Sequence, residues 1–134
     1  MPDEQWQAIR ELASGWMRHA QSDLAVARMT EAEAIAPEIL AFHAQLAVEK
    51  ALEALLVMRQ VEFPHIHVIG TLLNLCQQAG FNISGDLFEA ASLTRYAVGT
   101  RYPGEEEPVS RQEAREAANL ASRLLAWAEK QIDL

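Results

Sequence analysis

Three groups of side chains in this sequence have the types and spacing to do chemistry. His65 and His67 stand two apart, with His43 and Glu62 as further donors, and imidazoles so placed can chelate a metal ion. Two imidazoles without an identifiable third ligand fall short of a metal site, so no metal and no cofactor is expected. If several histidines do gather, protonation near neutral pH makes the site pH-sensitive. His43 and Lys50 lie two helical turns apart on one side, with Glu49 beside them, near enough to share a ligand or an acidic partner. The alternative for this group is a solvated face with ordinary ion pairs. Arg95, Tyr96, Arg101 and Tyr102 form the one place where cations and aromatic rings cluster, the chemistry needed to hold phosphates and stack a base. Glu105, Glu106 and Glu107 work against that reading, because Arg101 can pair with them and simply fix the loop.

These groups need elements to position them, and the apolar spacing predicts helices throughout. Trp6, Ile9, Ala13, Trp16, Met17, Ala20, Leu24 and Ala27 recur in steps of three and four and predict a first helix over 4–29. Gly15 costs about 1 kcal/mol inside a helix, so an alternative start at Trp16 is open. Pro37 suits the first turn of a second helix running to about Arg59. Leu40, Ala44, Ala47, Val48, Ala51, Leu52, Leu55 and Met58 give that helix one wide apolar arc. Its opposite arc mixes Glu38, His43, Gln45, Glu49, Lys50 and Glu53 with Ile39, Phe42, Leu46, Leu56 and Val57, more apolar than a solvated face should be. Either the helix touches neighbours on both sides, or this arc is a partner or dimer surface carrying polar site residues.

A loop over 61–66 precedes a short third helix from Val68 to Ala79, which Gly80 can end. Asp86 with Glu89 can start a fourth, with Leu87, Ala90, Ala91, Thr94 and Val98 on one face and Gly99 closing it. Ser110 and Glu113 make a capping box for a last helix, whose seam reads Ala114, Ala117, Ala118, Ala121, Leu124, Leu125, Ala128 and Ile132. Sustained period-two alternation is absent, so strands are not expected. The fold class is all-α, a five-helix up-and-down bundle forming one domain over 1–134.

Composition narrows the function. The 134 residues carry a net charge of −8, which repels polyanions at long range, so any nucleic-acid contact must rely on a local arginine cluster. Cys76 is the one cysteine, which excludes an intrachain disulfide and fits a reducing cytoplasm. Neither a signal peptide nor a membrane span is expected, and cytoplasmic localisation follows. No phosphate-cradling glycine loop and no nucleophile elbow occurs.

Two segments resemble a known family. Phe42-His43-Ala44-Gln45-Leu46-Ala47-Val48-Glu49-Lys50-Ala51-Leu52, followed by Glu62-Phe63-Pro64 and His67, is similar to the second helix and following loop of prokaryotic HEPN domains (higher eukaryotes and prokaryotes nucleotide-binding). Thr100-Arg101-Tyr102-Pro103-Gly104 ahead of the last helix is similar to the family's second conserved segment. The resemblance implies a homodimeric bundle, often encoded beside a small nucleotidyltransferase as a toxin–antitoxin pair, with nucleotide or RNA as ligand. The candidate ligand-binding residues are His43, Glu49, Lys50, His67, Arg95, Arg101 and Tyr102, and the resemblance makes Tyr102 a possible target of nucleotidyl modification.

Many members of the wider family are metal-independent ribonucleases whose motif is an arginine, four to six residues, then a histidine near the start of the last helix. There histidine serves as acid or base and arginine stabilises charge on the phosphate. Here Arg101 matches the arginine, but no histidine follows His67 in the sequence. Arg59 and His65 have the spacing yet lie after the second helix. Arg101, His67, Arg59 and His65 are therefore weak catalytic candidates. Glu53, where similar proteins often carry a second lysine, and Val68, where an acid commonly follows the loop histidine, are further departures. The expectation is a protein with little or no catalysis of its own, the rivals being an endoribonuclease or a purely structural interaction bundle.

Overall fold

The structure, a computed structural model, describes residues 2–97 and 108–133. Within these residues there are five helices and no strand. They are α1 (Pro2–Ala27), α2 (Pro37–Met58), α3 (Ile69–Gln78), a 3-10 helix (Leu87–Tyr96) and α4 (Arg111–Asp133).

α1 and α4 run antiparallel. Arg10 reaches the Ile132 carbonyl at 3.5 Å, Gln21 donates to Glu129 at 2.6 Å, and Arg28 donates to Ser122 at 3.1 Å, descending α4 as α1 ascends. α2 packs against α1, α4, α3 and the 3-10 helix. This central position decides between the two readings of its mixed arc. Gln45, Glu49, Glu53 and Leu56 are buried there, while Phe42, Leu46 and Val57 are half-buried and Ile39 stays 43% exposed. The arc therefore both touches neighbours and leaves an outer apolar ridge.

α4 matches its predicted seam residue for residue, because every alanine and leucine of that face is buried. Its capping box forms, with Glu113 N–H donating to Ser110 Oγ at 3.0 Å. α1 forms the long first helix expected and departs from expectation only in its first turns. It runs without interruption through Gly15, which excludes the later start at Trp16, because Ala13 and Met17 on either side of the glycine are buried on one face. Its first turns, in contrast, are unpacked: Trp6 is exposed and Ile9 only half-buried.

The fourth element is 3-10 rather than α. Leu87, Phe88 and Glu89 donate to Ser84, Gly85 and Asp86, three residues back, and the Asp86 side chain makes no cap. Its buried residues are Leu87, Ala90, Leu93 and Tyr96, a period of three that suits three residues per turn. The expected closing residues Val98 and Gly99 lie outside the described residues.

Two helix ends use the same device. Phe81 N–H reaches the Cys76 carbonyl at 3.1 Å over Gly80 at φ +102°, the Schellman arrangement expected for α3. α2 ends likewise, with Val61 N–H on Leu56 O and Gln60 N–H on Val57 O, both 3.0 Å, but the left-handed residue is Gln60 at φ 56°. A side chain in that conformation costs about 1 kcal/mol or more. Gln60→Gly should therefore raise stability by roughly 0.5–1 kcal/mol after the extra unfolded-state entropy is subtracted, read as a higher urea midpoint. A lower midpoint would contradict this account of the turn.

Candidate functional site

The polar residues of α2 converge with α1 and the 59–68 loop into one network. Asp23 of α1 is buried and faces α2. Its Oδ1 lies 2.9 Å from His43 Nδ1 and its Oδ2 accepts from Lys50 Nζ at 2.6 Å. His43 and Lys50 do share an acidic partner, and that partner comes from the protein itself. Sequence reasoning missed Asp23. Its signal is a carboxylate standing among Ala20, Leu24 and Ala27, the apolar residues of one helical face.

Next to Lys50 on α2, Glu49 is buried and faces the loop. His67 Nδ1 meets Glu49 Oε1 at 2.9 Å and Oε2 at 3.1 Å, and Gln45 Nε2 also donates to Oε2. An ionised carboxylate only accepts, so while Asp23 and Glu49 are ionised His43 and His67 donate from a protonated Nδ1. That leaves Nε2 of each ring as the remaining polar atom. His67 is 59% exposed, so its grip on Glu49 draws the loop back along α2. The α3 N-terminus that follows is capped from outside, Ile69 N–H donating to Thr94 Oγ1 at 3.0 Å, so His67 does not cap α3.

Glu53 completes the column, one turn beyond Glu49. Burial, and then the like charge of Glu49, push its carboxyl up to about 7, while His67 and Lys50 oppose the shift. Burial likewise raises Glu49, against the His67 hydrogen bond and the charges of His67 and Lys50. The neighbourhood of Lys50 therefore holds Asp23, Glu49 and a part-ionised Glu53, a poor environment for a phosphate.

The remaining candidates separate. Arg59 lies over the Phe81 ring at 4.4 Å, and His65 sets its ring edge-on to Phe63 at 6.0 Å, with Phe63 in turn against Trp16. Those contacts hold the two residues to different neighbours. Arg95 lies 5.0 Å over the Tyr96 ring, and both side chains bind Glu113 Oε2, at 2.8 and 3.0 Å. The Tyr96 hydroxyl first, and also the Ser110 backbone and Arg95, hold the Glu113 carboxyl below its usual range. Glu113 thereby joins the end of the 3-10 helix to the start of α4. Arg101 and Tyr102 lie outside the described residues. Among the described residues no three His, Cys, Asp or Glu side chains are grouped to hold a metal ion. Cys76 is buried, and burial pushes its thiol up to about 12, which makes it unreactive. Among the described residues no helix is long and apolar enough to cross a membrane.

The HEPN domain model matches residues 13–131, and the chain belongs to the HEPN domain family. Its fold is similar to the crystal structure of an archaeal HEPN homologue, at 29% identity and TM-score 0.72 over 90% of this chain and 97% of the other. It is equally similar to a crystal structure of a Thermus thermophilus protein, at 32% identity and TM-score 0.72 over 88% and 96%. No curated protein matches the chain.

The network makes a pH prediction. Glu53 has its pKa raised in the folded state, so its stabilising share is complete below about 4.5 and is lost as pH rises through about 7. Above that point the ionised form costs on the order of 3 kcal/mol. Glu53→Gln, which mimics the protonated acid, should match wild type in thermal stability at about pH 4 and exceed it increasingly as pH rises to about 8.5. Parallel pH profiles for the two proteins would contradict the shift.

Proposed function

We propose that this HEPN-domain protein works chiefly by association, as a homodimeric and non-catalytic or weakly catalytic partner of a small nucleotidyltransferase in a toxin–antitoxin-like pair. The observation that carries the reading is the outer face of α2. The charges there that could serve catalysis, His43 and Lys50, are met internally by Asp23, while Ile39, Phe42 and Leu46 beside them leave apolar surface open. A surface whose polar groups are already satisfied and whose apolar groups are not suits another protein better than a phosphate.

Nucleotide or RNA binding belongs to the same reading, through membership of a nucleotide-binding and ribonuclease-like family. We assign that contact to Arg95, whose side chain stays 58% exposed while it pairs with Glu113, with Arg101 and Tyr102 following in the sequence, because the carboxylates around Lys50 repel phosphate there.

The test is copurification of the full chain from its native cell with mass spectrometry, alongside light scattering and an RNA cleavage assay in chelator. The expected results are a nucleotidyltransferase in the complex, a dimer that Phe42→Asp converts to monomer, and no cleavage. Cleavage that persists in chelator and is lost in His67→Ala or Arg101→Ala would replace this reading with an endoribonuclease.

A further inference from the structure

α1 carries a second outward strip that the fold does not use. Ala8, Leu12, Gly15, His19, Ser22 and Val26 follow one another in steps of four, three, four, three and four, the spacing of a helix-pairing seam. Leu12 is 59% exposed, Ala8, His19 and Ser22 are exposed, and Gly15 and Val26 are half-buried. The strip borders a groove of about 370 Å³ lined by Leu12, Gly15, Trp16, His19 and Lys50, which lies against the α2 side.

Gly15 is the revealing residue. A glycine in mid-helix costs about 1 kcal/mol relative to alanine. A Cβ at this position would meet only Arg18 Nη2, at 3.8 Å, so no close approach inside the chain explains it. The backbone is bare on the outward side, where another helix can come near.

We propose that the strip pairs with the same strip of a second copy of this chain, antiparallel, about a two-fold axis level with Met17. In that register Ala8 faces the partner's Val26, Leu12 faces the partner's Ser22, and Gly15 faces the partner's His19. Every larger side chain then meets a smaller one, and the pattern complements itself, as an isologous contact must. Packing α1 on its copy sets α2 beside it on both sides, so the Ile39, Phe42 and Leu46 ridge joins the contact.

The size is adequate. At about 1.5 Å per residue the strip is about 27 Å long, and an α2 neighbour at an ordinary spacing of about 9 Å makes the face roughly 20 Å wide. Two such faces cover on the order of 1,100 Å² of footprint, and somewhat more accessible surface, near the ~1,200 Å² where specific pairs begin.

The inference rests on the association reading and names its geometry, and the two can fail separately. Gly15→Leu adds bulk only on the outside, so the monomer should fold while sedimentation shows self-association weakened at least tenfold. A mixture of full-length Leu12→Cys and Ser22→Cys chains, mildly oxidised, should give a disulfide-linked dimer that neither gives alone, since buried Cys76 stays silent. A dimer lacking either effect overturns this register and leaves the association reading standing. A wild-type chain that stays monomeric at ~100 μM, far above the dissociation constants of specific dimers, overturns both.

Discussion

Asp23 and Glu49 are the carboxylates on which the central packing turns. α2 is enclosed on most sides, yet Gln45, Glu49 and Glu53 face into its packing and Asp23 is pressed onto it from α1. A buried carboxylate without partners is strongly destabilising, so each must find donors before the helices can close. Asp23 finds them in His43 and Lys50, which fixes the register of α1 on α2. Glu49 finds them in His67 and Gln45, which draws the loop after α2 back along the helix and delivers the chain to the start of α3. The apolar seam supplies most of the driving force, and the ion pairs select the arrangement in which that seam closes.

The consequence for chemistry is that residues suggestive of a binding site are largely consumed by the fold. His43, Lys50, Glu49 and His67 do converge on one side of the molecule, but each is bound to a partner from the same chain. Arg59 stacks on Phe81, and Arg95 and Tyr96 hold Glu113. Glu53 is the member left least compensated, and its carboxyl answers by holding its proton to near neutrality. Family membership carries over the scaffold. The ribonuclease pairing of arginine and histidine does not carry over with it, since no histidine follows Arg101 in this sequence.

What could be read from the sequence depended on whether residue type settles environment. α4 was legible to the residue, because a seam of alanine and leucine against a charged reverse face has one stable arrangement. The mixed arc of α2 was not, because a glutamate in a helix looks alike whether solvated or buried against a histidine eighteen residues away. Asp23 shows only as a carboxylate among the apolar residues of α1, and its partners lie on another helix, so the sequence does not name them. The fourth helix is expected with Ala91 and Thr94 on its buried face, whereas Leu87, Ala90, Leu93 and Tyr96 display the period of three of a 3-10 helix. Gly15 suggested a break in α1, and there the burial of Ala13 and Met17 outweighed the local propensity.

The most direct measurement of this account is the tautomeric state of the imidazoles, read from the two ring-nitrogen shifts of His43 and His67 in ¹⁵N-labelled protein at a pH where they are neutral. Held by Asp23 and Glu49, both rings should bear their proton on Nδ1. Rings protonated on Nε2, or exchanging freely between the two forms, would mean that the carboxylates do not hold them and that the central network is not what locks the helices together.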